Sequence, residues 1–305
     1  MQRKPILDLC RTGDATPLSQ KAASRGDWIG VTNADVFDLD WHVGAAKPSL
    51  AERAYERIEA LFVDTTLAPG SSVRMQDLQE LVGLGRTPVH QAVRRAGAET
   101  LIAIRPRDGL TIAPVDLTRE RRLTELRRGM ERFVVAEATQ RLSFNHRAGL
   151  LHLRRALVEI GETIDVHTFN RFDRAFDTLL IAAAGEPFLQ RSLRPLHAFA
   201  RRIGYIAIVR LETSGIAESM ERHMTILDAV VAGDVARATH AYDSLIDLSQ
   251  SYFDDLAESA DPILLDAGLG RHSDSRMAPS TGAGSDPGAA GSPTPHPTTT
   301  LRGNT

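Results

Sequence analysis

The stretch from Asp77 to Arg95, DLQELVGLGRTPVHQAVRR, constrains the fold more than any other part of the chain. It reads as a short helix, a turn at Gly83 to Gly85, and a second helix with Pro88 in its first turn. Proline is tolerated there because first-turn N–H groups have no partner inside the helix to lose. Gly85 stands at the N-cap, where glycine serves less well than serine or threonine. Leu78, Leu81 and Val82 on the first helix are placed to face Val89, Ala92 and Val93 on the second. Such a pair is a helix-turn-helix, whose second helix is offered to the major groove of DNA. The same arrangement also occurs as plain packing in all-helical proteins, so the flanks decide.

Upstream, a helical run from Ala51 to Val63 ends in the turn Leu67-Ala68-Pro69-Gly70. Downstream, Leu101 to Ile104 and Leu110 to Ile112 are short β-prone runs around Arg105, Arg107 and Gly109, the pattern of a two-stranded wing with an arginine-bearing tip. Helix, helix-turn-helix and wing together predict a winged helix over 49–115.

This span resembles the DNA-binding domain of the GntR family of bacterial transcription regulators. The resemblance rests on Leu-Ala-Pro-Gly, on Gly85-Arg86-Thr87-Pro88-Val89, on Ala92-Val93-Arg94-Arg95 and on the late wing glycine, Gly109. Two positions depart from the family pattern. Gly85 stands where serine is usual, which weakens the helix cap. His90-Gln91 stands where Arg-Glu is usual, which implies a different operator sequence. The resemblance implies that Thr87, His90 and Gln91 read base edges, while Arg86, Pro88, Arg94, Arg105, Arg107 and Gly109 complete the DNA-binding surface.

Net charge is -3, so DNA binding must come from a local patch, for which Arg86, Arg94, Arg95, Arg105 and Arg107 are the candidates. Cys10 is the only cysteine, which excludes an intrachain disulfide and a thiolate zinc site. No run of about 18 apolar residues is present to span a bilayer, and the amino terminus lacks a signal-peptide core. A cytoplasmic protein is expected. Residues 1–48 show weak periodicity, with Val36 to Trp41 as a candidate short strand. The tail, 261–305, is dominated by Gly, Ser, Pro and Thr and is expected to be disordered.

Between these lies a helical half, 116–260, and aromatic residues, at 5%, are too scarce for a β-sandwich. Leu117 to Leu142 reads as one long helix with Leu123, Leu126, Met130, Phe133, Val134 and Ala138 as its apolar stripe. Segments near 146–161, 165–184, 186–211, 215–232 and 234–258 share the helical period, with Gly161, Gly185, Gly215 and Gly233 near the junctions. The fold class is mainly α, a winged helix-turn-helix followed by an antiparallel helical bundle.

The bundle resembles the FCD effector domain of the FadR branch of GntR regulators. Glu125-Leu126-Arg127 with Glu131 looks like its first-helix signature, and Asp173-Arg174-Ala175-Phe176-Asp177 like its Asp-x-x-Phe-His motif. Glu221-Arg222-His223 and Ala232-Gly233-Asp234 complete the match. The resemblance implies an effector cavity formed by Arg127, Asp173, Asp177 and His223. It also implies a divalent metal, which many members hold with one aspartate and three histidines. Here Asp177 replaces one histidine, and spacing puts Leu245 at another. Asp173 and Asp177, one helical turn apart, can still aim two oxygens at one point, with His223 facing them. That set suits Mg²⁺ or Mn²⁺ better than Zn²⁺. The metal-free alternative makes Asp173 a partner of Arg127, and His197 is a further histidine on the preceding helix.

The expected protein is a homodimeric regulator that binds a palindromic operator in double-stranded DNA and answers to a small anionic effector, a carboxylate or sugar acid, most simply as a repressor. Two rivals stand beside it: a metal-dependent hydrolase centred on Asp173, Asp177 and His223, and a DNA-binding protein that senses no ligand.

Overall fold

The computed structural model describes residues 48–105, 109–161, 164–212 and 215–259. The N-terminal extension with its candidate strand, Arg107 and the tail from 261 lie outside the described residues.

The first helix, α1 (Leu50–Val63), begins where the Ser49 hydroxyl accepts from the Glu52 amide. It buries Tyr55, Ile58 and Phe62. A two-residue strand, β1 (Ser72–Val73), leads into α2 (Met75–Val82) and α3 (Arg86–Ala98). Gly83 ends α2 with φ at 65°, a left-handed turn that suits glycine and aims the chain into α3. Gly85 caps α3 without a side-chain bond, and Pro88 occupies its first turn. Leu78, Val82, Val89, Ala92 and Val93 are buried as expected, but Leu81 is 44% exposed. In a helix of eight residues only one narrow face meets α3, and Leu78 with Val82 fills it.

The wing is β2 (Ile102–Arg105) and β3 (Gly109–Ile112), antiparallel, with Ile102 opposite Ile112 and Arg105 opposite Gly109. The sheet has a third strand that the sequence reading omits. β1 pairs with β3, Val73 opposite Leu110, giving the order β1-β3-β2. Two residues carry no readable alternation. Gly109 has φ at +89°, and a side chain there would bring its Cβ to 3.2 Å from the Val73 carbonyl, so glycine is required by the sheet itself.

The bundle comprises α4 (Leu117–Gln140), α5 (Phe144–Ile160), α6 (Val166–Ala184), α7 (Pro187–Tyr205), α8 (Ile216–Ala232) and α9 (Val235–Ser259). Asp116, Ser143 and Asp165 cap α4, α5 and α6 through their side chains, and left-handed Gly185 and Gly233 end α6 and α8. α7 continues as a π-helical segment, Ile206–Leu211, a widening of the helix that periodicity does not signal.

α4 lies against α6, α7 and α9, so it runs through the interior of the bundle. Its expected apolar stripe is only half right. Val134 and Ala138 are buried, yet Leu126 is 56% and Phe133 51% exposed. The inward face runs instead through Glu120, Thr124, Arg127, Glu131, Val134, Val135 and Ala138. A reading based on apolar spacing fails where the interior is charged, because those charges are neutralised by partners on other helices.

The winged part and the bundle share a core. Ala198 and Phe199 of α7 pack among the winged helix's buried residues, and Phe199 meets Phe62 edge-on at 5.6 Å. Arg202, wholly buried, donates to the Ala113 and Pro114 carbonyls at 2.6 and 2.9 Å and pairs with Glu120 at 2.5 Å. It thereby fastens the connection between the two parts to α7.

The face assignment within the helix-turn-helix is testable. Leu78→Ala should cost about 2–5 kcal/mol in urea unfolding, as a buried leucine does. Leu81→Ala should stay within about 0.5 kcal/mol, as an exposed one does.

Candidate functional site

One candidate surface is the outer face of α3. Burial of Val89, Ala92, Val93 and Ala96 leaves Arg86, Thr87, Gln91 and Arg94 exposed and His90 partly so. These residues recur every three to four positions and form one stripe. Arg105 is exposed on the wing, and Pro88 is half-buried. Arg95 does not belong to this surface. It turns back to Glu52 at 2.7 Å and Glu99 at 2.8 Å, and its guanidinium lies over the Tyr55 ring at 3.9 Å. Arg95 therefore braces α3 on α1.

The second candidate is a small cavity inside the bundle, about 60 Å³, lined among others by Arg127, Asp173, Arg201, His223, Leu245 and Ser249. Three of the four expected effector residues line it. The fourth, Asp177, sits off the wall, bonded to Arg201 and to His197 Nδ1, the latter at 3.1 Å. His223 is positioned from both ends: Nδ1 lies 2.7 Å from the Ser219 carbonyl and Nε2 2.8 Å from Asp173. Phe169, Phe172 and Phe176, stacked along α6, meet its ring edge-on at 5.6, 5.6 and 4.9 Å.

Arg127 donates to the Tyr242 hydroxyl at 2.9 Å and pairs with Glu131 at 3.4 Å. It is not the hydrogen-bonded partner of Asp173 that the metal-free alternative supposed. That partner is Arg201, whose Nε donates to Asp173 at 2.5 Å and whose Nη2 donates to Asp177. The third side of the same guanidinium faces Glu59 of α1 at 3.4 Å. Glu59 is also held by Arg174 at 2.9 Å and Arg194 at 3.1 Å. Arg194 reaches on to Glu52, the carboxylate that holds Arg95 of α3. A ladder of alternating charges thus runs from the cavity, through α1, to the exposed-face helix.

Two family patterns match this chain. The pattern of the bacterial regulatory proteins of the gntR family covers residues 50–112, and that of the FCD domain covers 122–248. The chain is a GntR-family transcription regulator with an FCD effector-binding domain. Among relatives, the HTH-type regulator BphR of Paraburkholderia xenovorans is 24% identical over 63% of this chain and 80% of its own length. The HTH-type transcriptional repressor GlaR of Escherichia coli is 26% identical over 56% and 80%. Among solved structures, E. coli McbR/YncC has the same fold, with a TM-score of 0.60 at 19% identity over 68% of this chain and 99% of that one. The family is one of transcription regulators and not of enzymes, so the hydrolase reading falls.

Against the metal set of FCD regulators, the donors here do not fit. A guanidinium lies between the carboxylates of Asp173 and Asp177, and Leu245, on the cavity wall, offers no donor. Glu131, Asp177 and His197 also converge, within 4.8 Å of one another. That triad is closed on itself, since His197 turns one ring nitrogen to each carboxylate. The sequence reading missed Arg201, Glu59, Glu131 as a partner of His197, and the arginines around Glu59. The available signal was the number of arginines on the period of buried positions in α6 and α7.

In this GntR regulator burial and pairing pull the carboxyls apart. Burial alone would raise Glu59, but Arg174, Arg194 and Arg201 hold it below its ordinary value of 4.5. Asp173 is likewise held well below the usual range, by Arg201 and His223 against burial. Asp177 goes the other way: burial, with Asp173 adding to it, lifts it from 3.8 to about 6 despite His197 and Arg201. A lowered carboxyl contributes stability above its unfolded value that is lost as pH falls through the folded one. A raised carboxyl contributes stability below its unfolded value that is lost as pH rises through the folded one. Asp177→Asn should therefore gain in melting temperature relative to the parent as pH rises from about 4 to about 7, from the ordinary Asp177 value through the raised one. Differential scanning fluorimetry of both proteins checks this, and a pH-independent difference would contradict it.

Proposed function

We propose that the protein is a homodimeric, effector-controlled repressor acting on DNA in the cytoplasm. The observation that carries the DNA reading is the exposed stripe of α3, with Arg86, Thr87, Gln91 and Arg94 outward and, among the described residues, none of them tied to another part of the fold. His90, Gln91 and Thr87 read base edges, while Arg86, Arg94 and the wing arginines Arg105 and Arg107 hold phosphates. Two copies place two such helices on the halves of a palindrome. Repression is the reading supported by the described role of GlaR, a relative at 26% identity.

The effector reading rests on the cavity. Its wall carries two guanidiniums, Arg127 and Arg201, against one carboxylate, Asp173, with two histidines beside them. The planar donors of the two guanidiniums are what favour a carboxylate ligand, which would compete with the carboxylates already paired to them. The cavity is small, about 60 Å³, so the reading includes a widening of its wall around the effector. The π-helical segment supplies Ile208 to that wall, and such segments are common at functional sites. An effector that binds the widened form shifts the protein towards it. A cavity walled by guanidinium donors is what favours the sensing reading over a protein blind to ligands.

Fluorescence anisotropy on a selected palindromic fragment tests the DNA face. Arg86→Ala should weaken binding to all sequences and reduce the salt slope by about 1, whereas His90→Ala should relax base preference at one position. Thermal shift against a panel of small organic acids tests the cavity: a ligand of the native state raises the melting temperature. If neither variant alters DNA binding, or no acid stabilises the protein, the corresponding half of the reading is wrong.

A further inference from the structure

We propose that Arg201 is the resident cation of this cavity, standing where a divalent metal would otherwise neutralise Asp173 and Asp177. We further infer that its third contact, with Glu59, passes the state of the cavity to the DNA-binding part. The inference rests on the regulator reading above and names how that site is regulated.

The geometry is specific. A guanidinium has donors on three sides of a plane. In Arg201 one side meets Asp173 of α6, one meets Asp177 of α6, and one meets Glu59 of α1. The side chain is buried and it also forms part of the cavity wall. A divalent ion seated between the two aspartates would lie against this fixed positive charge. The remaining metal donors are committed as well, since His223 is bonded to Asp173 and Leu245 has nothing to give. A guanidinium supplies the charge without any dependence on metal supply.

The same arrangement defines a competition. A carboxylate ligand that takes donors from Arg201 takes them from Glu59 or from the aspartates. Glu59 is wholly buried on α1, the helix that packs on α3. Its other partners, Arg174 and Arg194, belong to the bundle, and Arg194 also holds Glu52, which holds Arg95 of α3. Movement of Arg201 therefore changes how α1, and with it α3, is seated on α7. Coupling of this kind is reciprocal between ligand and DNA.

The full-length protein tests both parts. Metal analysis after dialysis should find no stoichiometric metal, and EDTA, Mn²⁺ and Zn²⁺ should each leave the melting temperature unchanged. Stoichiometric metal that survives dialysis, or destabilisation by EDTA, would overturn the assignment of Arg201 as the cation. Arg201→Lys keeps the charge and loses the three-sided geometry. It should shift affinity for the selected operator by ~5-fold or more, although it lies away from the exposed face of α3. Glu59→Gln should shift affinity too, and in the double variant the two effects should not add, because both remove the Arg201–Glu59 contact. A folded Arg201→Lys protein with parental DNA affinity, or an additive double variant, would overturn the link. Failure of the parent to bind any DNA would overturn the regulator reading instead, and leaves the metal measurement decisive for Arg201.

Discussion

The arrangement of the molecule depends on buried charge whose members pair with one another. Arg201 draws together Asp173, Asp177 and Glu59, and around this centre Arg127, Arg174, Arg194, Glu131 and His197 pair with one another or with its partners. Desolvating any one of these groups alone would cost several kcal/mol, roughly the stability of a small domain when summed over a few ions. Each is tolerated only because the others are in place. Geometry at the centre of the bundle is consequently fixed by direction and charge as much as by shape.

Such a centre is a poor source of stability, since buried ion pairs often do no better than well-packed apolar residues. What it supplies is a defined arrangement with few alternatives. The apolar layers around it serve a different purpose. Phe62 and Phe199 join the winged part to α7, and Arg202 fixes the connecting carbonyls of Ala113 and Pro114. α3 and the cavity are thus two ends of one packed and charged body, with α1 and α7 between them. A change in the cavity reaches α3 through contacts already present.

The winged helix was legible because it is specified locally. The Gly83 turn, Pro88 in the first turn of α3 and Gly109 in the wing each answer a backbone requirement that a single residue type reveals. The helices of the bundle were legible for the same reason, through period and terminal glycines. What was not legible arises between distant residues. The two-residue β1 exists only because β3 lies beside it. Apolar spacing points to Leu126 and Phe133 as the inward face of α4, because arginine and glutamate ordinarily face water, yet Arg127 and Glu131 lie inside. Arg201 was invisible for this reason, since its meaning comes from carboxylates 24, 28 and 142 positions away. The motif drew attention to Asp173 and His223, which line the cavity, but not to the cation that holds Asp173.

The central claim is that the cavity and the DNA-binding face are two ligand sites of one equilibrium. Operator affinity measured as a function of concentration of an acid that stabilises the free protein tests it most directly. The account predicts that affinity moves with occupancy of the cavity, and that bound operator changes the affinity for the acid by the same factor. An acid that saturates the cavity and leaves operator affinity untouched would contradict it.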